Sequence, residues 1–128
     1  MASDQATRDI EPSLGDVGED PDARFTFANE RTFLAWNRTA LALIAAGAAA
    51  AAFLRTGWSG ARLVVALPLI ALGAVVAFTS YRRWEANERA MRLNEPIEYS
   101  SLPRVLGLSI GVIAVATAVI AVIDLVSN

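Results

Sequence analysis

The sequence predicts an all-α integral membrane protein with three transmembrane helices and a disordered acidic N-terminal tail. Three observations support this fold class. Hydrophobic residues make up 55% of the 128-residue chain, they are concentrated in three long blocks, and each block is close to the roughly 20 apolar residues that cross a bilayer core. We predict membrane spans at about residues 36–54, 61–80 and 104–126.

Residues 1–22 are predicted to be a disordered cytoplasmic tail, and residues 23–128 are predicted to form the three-helix transmembrane domain. The tail contains seven acidic residues and one arginine, whereas the remainder contains ten arginines and six acidic residues. The tail also lacks a hydrophobic period and contains several helix breakers. It has neither the basic start nor the apolar core of a signal peptide, so we expect the first span to remain as an anchor.

Asp22 is the expected N-cap of the first helix, which begins near Ala23 and meets no proline or turn signal before Gly57. The segment RTGWSGA then predicts a short turn that places Trp58 at the membrane interface as an aromatic anchor. Because this connection is only a few residues long, the first two helices are expected to be antiparallel neighbours.

The second span is followed by a polar segment, residues 81–93, that can extend its helix into water. The tripeptide NEP should end this extension, and Pro103 should lie near the start of the third helix. The connection between the second and third spans carries five arginines, and the one between the first and second carries two. The positive-inside rule therefore places the N-terminus in the cytoplasm and the C-terminus outside the bacterial inner membrane.

Small residues in two spans indicate close helix packing. Gly107 and Gly111 have the small-xxx-small spacing that lets helix backbones approach, and Gly47 with Ala51 repeats it in the first span. Such spacing also arises by chance in alanine-rich spans. We therefore interpret it as a sign of close helix packing, and oligomerisation is a separate hypothesis. Asp124, near the outer end of the third span, is interpreted as a solvated interfacial carboxylate, with a proton relay as the alternative.

One side of the first helix is expected to face lipid, at about 100° of rotation per residue. Arg24, Arg31 and Arg38 recur every seven residues, about 100 to 140° round from that side. Glu30 and Asn37 lie about as far round in the other direction. The charged stripe is therefore expected to point into a protein interior or a shared cavity. The predicted lipid side carries Phe25, Thr32, Trp36, Leu43, Gly47 and Leu54.

Arg38 is the most informative of these arginines, because apolar residues on both sides place it near the cytoplasmic edge of the hydrocarbon. Three interpretations stay open. Arg38 can snorkel to lipid phosphates, several such arginines can gather to bind an anion, or an arginine can pair with Glu30 and hold helices together. All eleven basic residues are arginine, which suits phosphate or carboxylate contacts, although codon bias explains it too.

The absence of cysteine and histidine excludes several kinds of catalytic site. Zinc sites built from these residues, Cys/His nucleophile pairs and Ser-His-acid triads cannot be assembled. We therefore expect no enzyme activity, metal, cofactor or nucleic-acid partner. The expected partners are the lipid bilayer and either further copies of the chain or another membrane protein, with a polyanion as a further candidate.

The segment FANERTFLAWNRTALAL resembles the start of the first span in the YidH-like family of small three-span bacterial membrane proteins, a domain of unknown function. NERTFLAW followed by RT carries the resemblance, which continues through YRRWEANERAMRLNEPIEYSSLPR to the C-terminal end. Asn37 departs from the family pattern, which usually has an apolar residue at this position.

The same domain is similar to the membrane domain of the fungal vacuolar transporter chaperone complex, which makes and translocates polyphosphate. This resemblance implies that subunits assemble around a channel lined by basic residues. By motif, Arg31 is the best match to a lumen residue and Arg82 or Arg83 is a weaker one, whereas Arg38 belongs to the bacterial pattern. We expect no separate polymerase domain, so the resemblance does not imply polyphosphate synthesis.

Two functions follow as hypotheses. The first is an accessory or structural subunit of a membrane complex. The alternative is a homo-oligomeric anion or polyphosphate conduit, which requires several copies because three helices enclose no useful lumen. The candidate anion-binding residues are Arg31, Arg38, Arg82 and Arg83, with Asn29, Glu30 and Asn37 as supporting polar residues.

Overall fold

A computed structural model describes residues 12–55 and 60–127 of the chain. The described part contains no strand, and each of its three long helices is apolar enough to cross a bilayer. The predicted all-α class with three membrane spans is therefore confirmed. The elements are a 3-10 turn (Leu14–Asp16), α1 (Ala23–Phe53), α2 (Ala61–Arg92) and α3 (Leu102–Ser127).

The ends of α1 follow from local chemistry. The Asp22 side chain accepts a hydrogen bond from the Arg24 amide at 2.9 Å, as expected for the N-cap. Helix α1 ends at Phe53, a few residues before the predicted turn, because Leu54 is already extended. The predicted turn anchor Trp58 lies outside the described residues.

The predicted stop after α2 is confirmed by a left-handed cap. Asn94 has a φ of 53°, a conformation that asparagine tolerates better than most residues. The Glu95 amide donates to the Ala90 carbonyl at 2.9 Å, and the Asn94 amide donates to the Met91 carbonyl at 3.4 Å. This bonding pattern is that of a Schellman motif, which satisfies the last carbonyls of the helix.

Helices α1 and α2 approach each other closely at two glycines, each of which faces the backbone of the other helix. A Cβ on Gly47 would lie 2.8 Å from the Ala66 carbonyl oxygen, and a Cβ on Gly73 would lie 2.8 Å from the Ala40 carbonyl oxygen. Gly47 thus lies against the Ala66 and Ile70 turn of α2, and Gly73 lies against the Ala40 and Ile44 turn of α1. The close approach allows dispersion contacts along the whole crossing, which drive helix association in lipid.

This packing corrects the predicted lipid side of α1. Leu43 and Gly47 are buried and Trp36 packs against the core, so the side expected to meet lipid meets α2 instead. Glycine and leucine suit a lipid contact and a helix contact equally well, because lipid is as apolar as a neighbouring helix.

Helix α3 is loosely attached. Its backbone lies beside α2 and not beside α1, and none of its described residues is buried. A Cβ added at Gly107 or Gly111 would meet no atom within 4 Å, so the small-residue packing predicted for them is not made within the described chain. The three helices thus lie in a row, with α2 in the middle.

The N-terminal strap, residues 14–20, lies across the end of α2. The Glu19 amide donates to the Arg92 carbonyl at 3.2 Å, and Asp20 Oδ1 lies 3.0 Å from an Arg92 guanidinium nitrogen. Gly18 has a φ of 65° and packs directly against the Arg92 carbonyl. This path differs from the disorder expected for the tail; residues 1–11 lie outside the described residues, and there disorder stays a prediction.

Candidate functional site

An interhelical polar layer, formed by Thr26, Asn29, Asn87 and Glu88, joins α1 to α2 near the ends that the strap covers. Asn29 Nδ2 donates to the Trp84 carbonyl at 3.1 Å, and Asn87 Nδ2 donates to Asn29 Oδ1 at 3.2 Å. Both asparagines are half-buried. Asn29, predicted to support an anion site, therefore uses one amide N–H and its side-chain oxygen to link the two helices.

Glu88 is the most buried charged residue in the described part of the chain, with 6% of its surface exposed. Thr26 Oγ1 donates to Glu88 Oε1 at a long 3.4 Å, while Glu88 Oε2 has no hydrogen-bond partner among the described residues. The buried Nε of Arg92 also has none there, although the same guanidinium pairs with Asp20. Such half-satisfied buried groups are costly, so they make this layer sensitive to substitution.

Arg31 and Arg38 project from the side of α1 that is turned away from α2. At about 100° per residue, both lie within about 20° of the direction opposite Gly47. Both are exposed, and neither has a hydrogen-bond or ion-pair partner among residues 12–55 and 60–127. The arginine stripe therefore points out of the chain rather than into its interior. Its neighbours on this side are small: Ala35, Ala42, Ala45 and Ala49.

The other two supporting residues, Glu30 and Asn37, also lie on α1. Glu30 is exposed and forms no ion pair with an arginine within the described ranges, so the helix-holding pair suggested for it is not made there. The Asn37 amide donates to the Phe33 carbonyl of its own helix at 3.3 Å. Asn37 is therefore satisfied locally, without a hydrogen bond to α2.

The two candidate arginines of α2 point in different directions. Arg82 is exposed, and its guanidinium carbon lies 5.9 Å from the centre of the Phe78 ring, within reach of a cation–π interaction. Arg83 is half-buried and lines a cavity of about 630 Å³ between α2 and α3. A single chain thus does not bring Arg31 and Arg38 together with Arg82 and Arg83.

Sequence reasoning missed Asn87, Glu88 and Arg92, which lie in the segment expected to extend into water. A signal for them exists, since Trp84, Glu88 and Arg92 are spaced four apart and share one side of a helix. Within the described part of the chain, no three acidic, cysteine or histidine residues are arranged to hold a metal ion.

Comparisons with known proteins agree with this architecture. A family model described as a domain of unknown function (DUF202) matches residues 24–90. The inner membrane protein YidH of Escherichia coli is 42% identical over 100 residues, which cover 77% of this chain and 87% of YidH. The uncharacterised protein Rv2272 of Mycobacterium tuberculosis is 40% identical over 104 residues, which cover 78% of this chain and 85% of that protein. No solved structure matches the chain.

The matched segment contains most of α1 and α2, including the glycine contacts and the polar layer. With three helices able to span a bilayer and a close relative in the inner membrane, the chain is a small membrane protein that belongs to the DUF202 family.

Proposed function

We propose that the protein is an accessory subunit of an inner-membrane complex, without enzymatic or transport activity of its own. The observation that carries this proposal is the amount of helix surface left uncovered. No described residue of α3 is buried, and the arginine–alanine side of α1 has no neighbour in the described chain. Three helices in a row enclose no pathway, whereas both outer helices offer surfaces for other proteins.

The arginine distribution supports an orientation for this subunit. The N-terminus and the connection between α2 and α3 lie in the cytoplasm, and the end of α3 lies outside. In this orientation, Arg31 and Arg38 sit at the cytoplasmic boundary of the bilayer, where arginine can reach phosphate groups while its stem stays in hydrocarbon. A reporter enzyme that works only outside the cytoplasm should therefore be active when it is fused after Ser127.

Reconstitution of the purified chain in liposomes tests the accessory role. We expect ion and polyphosphate flux to equal that of protein-free liposomes. Robust, selective flux from the chain alone would refute the proposal.

The second candidate is a homo-oligomeric conduit for anions or polyphosphate, related to the membrane domain of the fungal vacuolar transporter chaperone. The position of Arg31 and Arg38 on one exposed side of α1 favours it, because a ring of copies with that side inward would line a lumen with guanidinium groups. The small side chains beside them would leave room for that lumen. In such a ring, α3 would face the lipid.

Native mass spectrometry from nanodiscs, with and without a short polyphosphate, separates the two candidates. A defined oligomer that retains the polyanion supports the conduit, and a monomer without ligand excludes it. In the conduit, replacing Arg31→Gln and Arg38→Gln should abolish anion preference. Arg104→Gln is the matched control, since Arg104 is an exposed arginine on α3. Unchanged anion selectivity in the double variant would show that Arg31 and Arg38 do not line the lumen.

A further inference from the structure

A second site, independent of the arginine stripe, lies on the α3 side of α2. Between α2, the connection 93–101 and the first turn of α3 there is a cavity of about 630 Å³, within the size range of small-molecule sites. Its polar wall includes Thr79, Arg83 and Asn87 from α2, and Ser100 and Ser101 from the connection. Around this cavity, α3 packs on α2 much less extensively than α1 does.

An apolar groove continues this cavity towards the middle of the bilayer. The groove, of about 440 Å³, is lined by Pro68 and Leu72 of α2 and by Leu108 and Val112 of α3. Val75 lines both the cavity and the groove, which are therefore neighbours along α2. From Thr79 to Pro68 the helix rises about 16 Å at about 1.5 Å per residue, close to half of the roughly 30 Å hydrocarbon core. The cavity and the groove together thus span about the depth of a single leaflet.

The charges of the polar part are balanced between guanidinium and carboxylate groups. Arg83 and Arg89 line it from α2, and Glu95 and Glu98 line it from the connection. Arg83 is half-buried and has no hydrogen-bond or ion-pair partner in the described ranges, so its N–H donors are available to a ligand. Glu98 likewise has none there. A half-buried guanidinium that lacks a counter-charge is costly.

We propose that this site binds a zwitterionic glycerophospholipid whose head carries a primary ammonium group, as in phosphatidylethanolamine. Arg83 donates to the phosphate, for which guanidinium geometry is well suited. Glu95 and Glu98 accept from the ammonium, and one acyl chain fills the groove beside Val75. An anionic glycerol head would bring no cation to Glu95 and Glu98, and a choline head has no N–H to donate to them.

Lipid binding here would complete the contact between α2 and α3. The groove side chains would pack against an acyl chain, which supplies the dispersion contacts that two loosely packed helices do not make with each other. The proposal is independent of the accessory role, which does not use Arg83. In the conduit, the lumen side of α1 is likewise separate from the α3 side of α2.

Native mass spectrometry of the full chain tests the assignment. The protein is delipidated in detergent and titrated with phosphatidylethanolamine, phosphatidylglycerol or phosphatidylcholine carrying identical acyl chains. We expect phosphatidylethanolamine to be retained roughly ten-fold more strongly than the others, the scale of one charge-assisted hydrogen bond. Arg83→Gln should lower that retention roughly ten-fold, whereas Arg31→Gln, on the far side of α1, should leave the preference for phosphatidylethanolamine over the other two lipids unchanged.

Further variants separate the parts of the site. Glu95→Gln with Glu98→Gln should abolish the preference for the ammonium head while phosphate binding remains. Val112→Trp, at an exposed position of α3, should block the groove and lower lipid retention. This variant tests the site separately if the Arg83→Gln protein does not fold. Equal retention of the three lipids by the wild type, or full retention by Arg83→Gln, would overturn the proposal. Competition by soluble glycerophosphoethanolamine as strong as by the whole lipid would also overturn it, because the groove would then contribute nothing.

Discussion

Gly47 and Gly73 determine how closely α1 and α2 approach, and replacing either with alanine should destabilise the pair. In each case the new methyl group would meet a backbone carbonyl oxygen at 2.8 Å, and a carbonyl held in a helix cannot rotate away. The helices must therefore separate by several tenths of an ångström. Such overpacking costs about 1–3 kcal/mol, while alanine gains about 0.5–1 kcal/mol over glycine as a helix former. We expect a net loss of about 1–2 kcal/mol.

Equilibrium unfolding in mixed detergent micelles, with sodium dodecyl sulfate as denaturant, measures this loss. Gly107→Ala and Gly111→Ala are the matched controls, because no atom lies within 4 Å of either added methyl. They should leave stability unchanged or raise it by about 0.5–1 kcal/mol. The double variant with alanine at Gly47 and Gly73 should lose less stability than the two single variants added together, since the first separation of the helices makes room for the second methyl group. Equal stability of Gly47→Ala and Gly107→Ala would refute the reasoning.

Three further substitutions, two of them with a matched control variant, probe contacts other than the two glycines. Asn29→Ala should lower the free energy of unfolding by about 1–2 kcal/mol, because it leaves the Asn87 amide without its partner. Asn37→Ala breaks a hydrogen bond within α1 only, so it should lower the same free energy by less than about 0.5 kcal/mol. Thr26→Val should lower the free energy of unfolding by about 1 kcal/mol, because it removes the donor to buried Glu88. The Thr32 hydroxyl donates within its own helix, so Thr32→Val should be nearly neutral. Equal losses in the two variants would contradict the role of the polar layer. Gly18→Ala should free the strap, since the left-handed backbone alone costs about 1–2 kcal/mol, and hydrogen exchange at the Glu19 amide should accelerate; unchanged protection would show that the strap tolerates a side chain there.

Helix identity and most helix ends were predictable because they depend on local chemistry. Three long apolar blocks require helices in a bilayer, since unpaired backbone groups are too costly there. Asp22 caps α1 as its position suggests, and Asn94 ends α2 within the tripeptide NEP. In each case the signal and the structure it specifies lie within a few residues.

The orientation of α1 was not predictable in the same way. Helical periodicity fixes the angle between Gly47 and Arg38, but it does not say which of them meets a neighbour. In water the apolar side would be the packed side; in lipid both sides can be apolar. The pairing of Asn29 with Asn87 was not predictable for the same reason, because it depends on the register between two helices.

The contrast between the glycine-held pair and the loosely attached α3 bears on how the protein is made. Helices α1 and α2 meet along a continuous crossing and are joined by a short connection, so they are suited to leave the translocon as one helical hairpin. Helix α3 has no buried residue in its described length and must find α2 afterwards by lateral diffusion in the bilayer. Biogenesis is thus expected to proceed in two steps, and truncation after Ser101 should leave an inserted hairpin.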